Sequence, residues 1–316
     1  MIKLNKKQRT GGSHAAFGVY TESLIRRKRE AGKENAADLY RTTRNWIIRF
    51  NNGHELRLHD IRPGLVDRFA DYLQTRGLKP NTVNTYLSNL RAIYNQARHD
   101  RLLPPAVPNP FEGISLRREL PGSRALDSET LAQIADLKPA EPAVRRTQDL
   151  CLFSFLACGI PFVDLVHLTA DNLQNDTLVY KRKKTGTLIR VHITDGMRRL
   201  IDKYATAASP YLFPLLPPGG TSHEGYKSIL RTYNAHLKTL GACLPHPVRL
   251  TSYVFRHTWA TEARRKHTPI AIISQALGHT SEKTTRFYLA ALEQPELDRA
   301  NRIITGPIDR IVAMAV

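Results

Sequence analysis

A proline-rich stretch is the feature that most restricts how this chain can fold. The sequence RLLPPAVPNPFEGISL contains four prolines within seven residues. Proline lacks a backbone N–H group and fixes φ, so a helix cannot continue through this stretch, and the connection is stiff and extended. The chain has 316 residues, more than one compact core usually holds. We therefore predict two domains, at 16–104 and 124–316, joined by a linker at 105–123 and preceded by a flexible basic arm at 1–15.

Apolar residues recur at helical spacing throughout the first domain. Four stripes follow the i, i+3, i+4 pattern of amphipathic helices, and Gly77 closes the third. The fourth stripe begins after the sequence LKPN, where Asn81 or Thr82 is suited to cap a helix. Short connections between such helices favour antiparallel neighbours, so the sequence predicts a compact bundle of about four helices.

The second domain combines helices with one β-hairpin. Asp127 or Ser128 is suited to cap its first helix. Further along, the segments TLVYKRKK and TLIRVHI flank the turn sequence TG. In the second of these segments Ile189, Val191 and Ile193 occupy alternate positions, as in a half-buried strand. The predicted fold class is therefore mainly α with a small antiparallel β-sheet.

The charge balance indicates a polyanionic partner. The chain carries 47 Lys and Arg against 28 Asp and Glu, a formal net charge of +19. The positive excess falls on both sides of the linker, as expected of a protein that contacts an anionic polymer along its length. DNA or RNA is the simplest such partner. The alternative, a basic protein whose charge only keeps it in solution, is less favoured at this excess.

Cysteine and histidine usage argues against a metal site. The three cysteines, Cys151, Cys158 and Cys243, show no CxxC spacing and cannot all pair, which suits a reducing cytoplasm. The twelve histidines lack the i, i+4 pairing of a metal-binding helix. No apolar run reaches the length of a membrane span, and the basic start lacks the apolar core of a signal peptide. We therefore expect no metal site and no membrane contact.

The stretch LGHTSEKTTRFYL follows a helical pattern that its glycine interrupts. At about 100° per residue, an unbroken helix would place His279 and Tyr288 on opposite faces. Gly278 tolerates left-handed geometry and can end one helix, and Thr280 or Ser281 can cap the next. The chain then turns between the two rings, so they can converge on one pocket.

A helix start within LTSYVFRHTWA offers a second candidate site. Thr251 or Ser252 is suited to cap this helix, which places Tyr253 and Arg256 three residues apart on one face. The free N–H groups of a helix start and the planar guanidinium of an arginine both suit a phosphate oxygen. Taken alone, such a segment is more often an exposed arginine beside an aromatic residue of the core.

Four consecutive cations, KRKK, end the first segment of the hairpin, with Lys184 beside the turn. A run of this kind is usually a solvated face. At the hairpin tip of a DNA-binding protein it can instead enter a groove and place one lysine on a leaving oxygen.

Together these segments resemble the tyrosine recombinase, or phage integrase, family. The resemblance is carried by Lys184-Thr-Gly, Tyr253-x-x-Arg256-His257, Leu277-Gly-His279 and a tyrosine nine residues later, in this order. The sequences RHTWAT, ALGHTS and TTRFYL are its most specific part, and it covers nearly the whole chain. It implies a helical, SAM-like core-binding domain followed by a tyrosine-recombinase catalytic domain. NPFEGI and GIPFVDL are most similar to integrases of Bacteroides-type mobile elements.

The resemblance implies a role for each matching residue. Tyr288 corresponds to the nucleophile, which forms a 3′-phosphotyrosyl link, and Arg256 to an arginine that binds the nonbridging oxygens. His279 corresponds to a hydrogen-bond donor to that phosphate, and Lys184 to the general acid for the departing 5′ oxygen. Without these companions, Tyr288 would be interpreted as a core tyrosine of an amphipathic helix. The residues predicted to contact DNA elsewhere are Lys79, Asn81, Arg91 and Arg182.

Two positions depart from the family pattern. Pro161, in CGIPFVDL, stands where the family has its first arginine, and a proline supplies neither charge nor donor. The nearby cations Arg145, Arg146 and Arg182 are candidate substitutes. Tyr253 stands where the family usually has a histidine; tyrosine donates a hydrogen bond but is neutral and a poor base at pH 7.

The resemblance therefore implies a site-specific recombinase that cuts and rejoins duplex DNA, with integration, excision or inversion as the outcome. Four protomers would assemble on two sites in a bacterial cytoplasm, associated with the nucleoid, and DNA-bending accessory proteins are candidate partners. Neither ATP nor a metal is required, because each covalent intermediate keeps the phosphodiester bond energy. Two alternatives remain: a catalytically impaired DNA-binding member of the family, and a type IB topoisomerase-like enzyme that relaxes DNA without partner sites.

Overall fold

The computed structural model of the chain describes residues 15–104, 108–114 and 125–289, with the side chains of 287–289 excepted. The chain divides into two compact units, Met1–Glu119 and Leu120–Val316, here called the first and the second unit. Of the predicted basic arm, only Ala15 is described, and of the predicted linker only 108–114. Among the described residues, no helix combines the length and the apolar character needed to span a membrane.

The first unit contains four α-helices over its described residues. Their inward faces carry the predicted apolar stripes, with Phe17, Ile47, Phe69 and Leu90 at 1% exposure or less. The core of the unit therefore lies between the helices, as the spacing predicted. The helices are α1 (Phe17–Glu30), α2 (Glu34–Phe50), α3 (Pro63–Thr75) and α4 (Pro80–His99).

The start of α4 differs from the predicted one. Pro80 is the first helical residue and Lys79 the N-cap, so neither Asn81 nor Thr82 caps the helix and that prediction was wrong. Proline suits this first position because its φ is already helical and its missing N–H would have had no partner there. The proline therefore moves the helix start ahead of the polar residues that seemed suited to cap it.

The second unit packs helices around a small sheet. Asp127 caps its first helix by accepting the N–H of Thr130, which confirms the predicted cap. Phe162 stacks on Tyr233 with ring centroids 4.2 Å apart, which joins two helices of the core. The helices are α5 (Ser128–Asp136), α6 (Pro142–Leu156), α7 (Phe162–Leu165), α8 (Asp195–Tyr204), α9 (His223–Ala242), α10 (Val254–Arg265), α11 (Ile270–Leu277) and α12 (Glu282–Leu289).

The sheet is antiparallel, with strand order β1-β2-β3. Its strands are β1 (Leu173–Gln174), β2 (Thr177–Lys181) and β3 (Leu188–His192). Ile189 and Val191 are buried while their neighbours along β3 are exposed, which confirms the predicted alternation. The fold class is thus mainly helical with one small antiparallel sheet, as predicted. The segment between β2 and β3 contacts the end of α11 through Arg182 and Thr185.

Candidate active site

The turn between α11 and α12 has the predicted geometry. Gly278 ends α11 in the left-handed region, with φ 63° and ψ 39°. The next N–H, that of His279, donates to the carbonyl of Ser274 at 3.0 Å and closes the helix end. Ser281 then accepts the N–H of Lys283 at 3.2 Å, which confirms it as a cap of α12. The predictions for Gly278 and Ser281 were therefore correct.

Tyr288 lies in the last turn of α12, and its side chain is outside the described residues. The helix begins three residues after His279, which itself follows the left-handed Gly278. The predicted convergence of the two rings on one pocket stays a prediction.

Arg256 lies in the interior of the second unit, only 2% exposed. Its Nη1 donates to the carbonyl of Gly159 at 2.9 Å, and its Nη2 donates to the carbonyl of Leu277 at 2.6 Å. The same Nη2 lies 3.4 Å from Nε2 of His279. Arg256 therefore connects the turn after α6 with the turn after α11, and it contacts the histidine of the LGH sequence directly.

Gly159 allows this arrangement because it has no side chain. Its φ is 71°, and a Cβ at this position would lie 2.8 Å from Cα of Arg256. The preceding residue, Cys158, also has a positive φ of 55°, so the chain reverses sharply after α6. The Cys-Gly pair thus brings a backbone carbonyl against the guanidinium.

His279 is half-buried and neutral at physiological pH. Burial, and after it the positive charges of Arg256, Arg182 and Lys184, together lower the pKa of its imidazole to about 4. Its Nδ1 lies 2.8 Å from the hydroxyl of Thr285, a fully buried residue of α12. A neutral imidazole carries one N–H, so the ring can donate one hydrogen bond and accept another.

Arg182 lies beside Arg256 rather than on the solvated hairpin tip. Its Nε is 2.8 Å from Oδ2 of Asp164, as an ion pair rather than a well-aligned hydrogen bond, and both side chains are buried. Its Nη1 donates to the carbonyl of Leu277, the group that also accepts from Arg256. Two guanidinium groups therefore meet at one backbone oxygen. Gly278 leaves room for the side chain of Arg182, since a Cβ there would lie 2.9 Å from Cγ of that arginine.

The hairpin turn packs against the turn between α11 and α12. The hydroxyl of Thr185 donates to the carbonyl of Gly278 at 3.2 Å, and the backbone N–H of Lys183 donates to Asp164 at 2.8 Å. Lys184 is exposed, yet it is near enough to His279 for its charge to lower the pKa of that imidazole. Lys184 therefore lies at the border between the buried cations and solvent.

Tyr253 is the N-cap of α10, and its own side chain makes no cap hydrogen bond. The predicted caps, Thr251 and Ser252, were wrong because the backbone forms a turn ahead of the helix, in which Val254 donates to the carbonyl of Thr251 at 3.0 Å. Tyr253 is 43% exposed, and its ring meets that of His257 edge-on at 4.9 Å. Tyr253 thus faces solvent while Arg256, one turn later, is buried.

The three candidate substitutes for the missing arginine have different surroundings. Pro161 is the N-cap of α7. Arg145 is exposed and donates from Nε and Nη2 to the carbonyl of Pro139, at 3.2 and 2.8 Å. Arg146 is also exposed, on the same helix. Of the three, Arg182 shares a hydrogen-bond acceptor with Arg256.

The remaining predicted DNA-contacting residues lie in the first unit. Lys79 precedes α4 and is exposed, Asn81 lies in its first turn, and Arg91 is half-buried in its middle. Their contact with DNA stays a prediction.

Three residues that sequence reasoning missed complete the site. Gly159 had a signal, because a glycine just after a helix is typical of a left-handed helix end. Thr285 stands one helical turn before Tyr288, a spacing that places both on neighbouring parts of α12. Asp164 carried no sequence signal that distinguishes it from a surface carboxylate. With them, the described residues form a cluster of buried cations beside a neutral imidazole, and such groups suit an anion with several acceptor oxygens.

Both parts of the chain match known protein families. Residues 16–110 match the phage integrase SAM-like domain, and residues 124–294 match the phage integrase family. The chain is 24% identical over 263 residues to a tyrosine recombinase of Pseudothermotoga lettingae, with 79% of this chain and 85% of that protein covered. It is 26% identical over 249 residues to the tyrosine recombinase XerD of Chlorobaculum tepidum, with 72% and 77% covered.

Solved structures with a similar fold include integrases bound to DNA. The lambda integrase(75-356) dimer bound to a COC' core site aligns with a TM-score of 0.66 at 14% identity, covering 88% of this chain and 97% of that chain. The Tn1549 transposon integrase in complex with circular intermediate DNA aligns with a TM-score of 0.61 at 14% identity, covering 87% and 95%. At these identities the likeness concerns the fold.

Proposed function

This chain belongs to the phage integrase family, whose tyrosine recombinases break and rejoin DNA strands, and on that premise we propose that Tyr288 is the nucleophile of its site-specific recombination. The phenolic oxygen attacks a scissile phosphate and releases the 5′ oxygen of the next nucleotide. A 3′-phosphotyrosyl bond forms as the phosphodiester bond breaks. Attack by a 5′ hydroxyl of the partner strand reverses the step and restores the phenol.

The observation that carries this proposal is the cluster of donors around the carbonyl of Leu277. Arg256 and Arg182 both donate to this oxygen, and His279 contacts Arg256 at 3.4 Å, immediately before the helix that carries Tyr288. Donors held in place before the reaction stabilise the charge that develops on a pentavalent phosphate without reorganising. Arg256 binds the nonbridging oxygens, and His279 donates a hydrogen bond to one of them.

Lys184 is the general acid for the departing oxygen. Its exposure and its position at the hairpin turn support this role, because the ammonium can reach a DNA strand outside the buried part of the pocket. Tyr253 stands where the family usually has a histidine and contributes a neutral hydroxyl donor rather than a base. Its 43% exposure supports a contact with DNA.

Arg182 has the role of the family's first arginine, whose position Pro161 occupies in this chain. It is buried, oriented by its ion pair with Asp164, and shares an acceptor with Arg256. An arginine in such surroundings has a fixed guanidinium plane, which suits two oxygens of one phosphate. Arg182→Ala should therefore slow strand cleavage, whereas Arg145→Ala and Arg146→Ala should not. Unchanged cleavage in all three variants would refute the proposal that one of these arginines replaces the missing one.

DNA is the partner of proteins of this family, and for this chain we propose the following assembly on it. Four protomers bind two sites and exchange the strands in pairs, giving integration, excision or inversion, with DNA-bending proteins as accessory factors. Contacts by Lys79, Asn81 and Arg91 of the first unit add to affinity, which falls as salt rises because most contacts are to phosphates. The setting is a bacterial cytoplasm, with the protein on the nucleoid when bound, and a Bacteroides-type mobile element is the source that NPFEGI and GIPFVDL support.

A library of duplexes with random flanks and one nick near the centre tests the proposal without knowledge of the target site. Attack beside a nick releases a short strand, so the covalent adduct accumulates and survives denaturing detergent. The wild-type protein should yield adducts with a common sequence, and Tyr288→Phe should yield none. Tyr211→Phe changes a tyrosine that pairs with Thr169 and packs beside His167, away from Arg256 and His279, and is the matched control.

The same library separates the alternatives. DNA binding without any adduct would indicate a catalytically impaired member of the family, which the departures at Pro161 and Tyr253 would explain. Adducts that relax supercoiled plasmid but never join two selected sites would indicate a topoisomerase-like enzyme. Joined products that require Tyr288 would support the recombinase.

A further inference from the structure

The hydroxyl of Thr285 is a buried polar group to which the family resemblance assigned no role. Thr285 is 0% exposed, and its Oγ1 lies 2.8 Å from Nδ1 of His279. It stands three residues before Tyr288 on α12, one turn of the same helix. The hydrogen bond therefore joins the imidazole after α11 to the helix that carries the nucleophile.

The surroundings of His279 indicate which ring nitrogen carries the proton. An arginine guanidinium can only donate, and Nη2 of Arg256 faces Nε2 of His279 at 3.4 Å. Nε2 therefore suits the role of acceptor, and the single N–H of the neutral ring lies on Nδ1, where it donates to Thr285. In this state the threonine hydroxyl is the acceptor of the pair.

Binding of a phosphate requires the opposite arrangement. Phosphate oxygens only accept, so an imidazole that donates to one of them from the Arg256 side must carry its proton on Nε2. Nδ1 then becomes an acceptor and needs a donor. A threonine hydroxyl can rotate and donate, which a side chain without a hydroxyl cannot do.

We propose that Thr285 is a positioning residue that lets His279 change tautomer when a DNA phosphate enters the pocket. This rests on the proposed function, in which His279 donates to the scissile phosphate. The proton leaves Nδ1, another reaches Nε2 by exchange with solvent, and the hydroxyl of Thr285 turns from acceptor to donor, so the charge of the ring is unchanged. Because Thr285 lies on α12, the Nε2–H tautomer forms only when this helix is in place. The tautomer of His279 therefore depends on the position of the helix that carries Tyr288.

Three variants test this role. Thr285→Val keeps the shape and removes the hydroxyl, Thr285→Ser keeps the hydroxyl, and Thr284→Val changes the exposed neighbour on the same helix. At saturating nicked duplex of the selected sequence, Thr285→Val should form adduct about tenfold more slowly, the factor that corresponds to one unsatisfied buried acceptor. Thr285→Ser should restore most of the rate, Thr284→Val should match the wild type, and the Kd for DNA should stay the same in all three.

The ¹⁵N shifts of the histidine ring report the tautomer directly. In protein labelled at histidine, with the His279 signals assigned from a His279→Gln spectrum, the free protein should show the proton on Nδ1. The Tyr288→Phe protein bound to the nicked duplex should show it on Nε2, and the double variant with Thr285→Val should keep it on Nδ1. If Thr285→Val unfolds, Thr285→Ala supplies the same comparison with a smaller side chain.

Two results would overturn the proposal. One is an Nε2–H tautomer in the bound Thr285→Val protein with wild-type rates; the other is an equal loss of rate in Thr285→Val and Thr285→Ser, which would indicate packing alone. A wild-type protein that binds the duplex but forms no adduct would instead defeat the proposed function. The tautomer in that complex would still decide the role of Thr285.

Discussion

Gly159 is the position at which one added methyl group should disturb the site most. Its φ of 71° lies in the left-handed region, and a Cβ there would lie 2.8 Å from Cα and 3.0 Å from Cγ of Arg256. Left-handed backbone costs an L-residue about 1–2 kcal/mol. Extra atoms in a packed interior cost typically about 1–3 kcal/mol more. Gly159→Ala should therefore lower the free energy of unfolding of the second unit by about 2–5 kcal/mol.

Gly186 provides a matched control in the same unit. Its φ is also 71°, but nothing lies within 4 Å of a Cβ built there. Gly186→Ala therefore carries only the backbone cost, about 1–2 kcal/mol. The difference between the two variants isolates the contact with Arg256 from the strain that both share.

Tryptophan fluorescence in urea can follow the second unit separately. The chain has two tryptophans, Trp46 in the first unit and Trp259 in the second. In a Trp46→Phe background, the signal of Trp259 reports the unfolding of the second unit, and the midpoint with its slope gives the free energy. Equal destabilisation by Gly159→Ala and Gly186→Ala would refute the close packing of Gly159 against Arg256. Gly159→Ala should also slow adduct formation, because its Cβ displaces the guanidinium.

Three further outcomes follow from buried or shifted charges. Asp164→Asn leaves the buried guanidinium of Arg182 without its counter-charge, so it should lower the free energy of unfolding by about 3–5 kcal/mol in the same urea assay. A smaller decrease than that caused by Gly186→Ala would contradict the buried ion pair. In the first unit, burial raises the pKa of Asp100, but hydrogen bonds, that from Gln96 foremost, bring it down to about 2 from 3.8. The ionised carboxylate stabilises the folded first unit fully above its unfolded pKa, and this contribution is lost as pH falls through about 2. Asp100→Asn should therefore make the stability of the first unit depend less on pH below about pH 4, which acid unfolding followed by circular dichroism would record. For His279, whose pKa falls from 6.5 to about 4, the unfolded chain binds a proton that the folded chain does not, so the second unit should lose stability as pH falls between these values. His279→Gln should remove that slope, and an unchanged slope would show that other groups cause it.

The sequence predicted best the features that neighbouring residues determine. Gly278 had to end a helix because it tolerates a positive φ, and Asp127 and Ser281 had short acceptors one or two residues before a helical pattern. The alternation of Ile189 and Val191 with Arg190 and His192 indicated the buried face of β3. In each case the cause lies within a few residues along the chain.

The two wrong helix starts have local causes of another kind. At α4, a proline at the first helical position outcompeted the capping preference of Asn81. At α10, a backbone turn from Thr251 to Val254 precedes the helix, so the polar side chains before it are not in the capping position. A capping preference of about 1 kcal/mol is too small to decide a boundary when the backbone geometry is set by something else.

The buried cations could not be predicted, because their partners are distant in sequence. Arg256 bonds to Gly159 across 97 residues, and Arg182 bonds to Leu277 across 95. A hydrophobic pattern assigns every arginine to the surface, and burial becomes acceptable only where acceptors and a counter-charge are already in place. This explains why Arg182 was expected on the DNA-facing hairpin tip. Its ion pair with Asp164 lies in the interior instead, and that buried position supports our proposal that Arg182 substitutes for the arginine missing at Pro161.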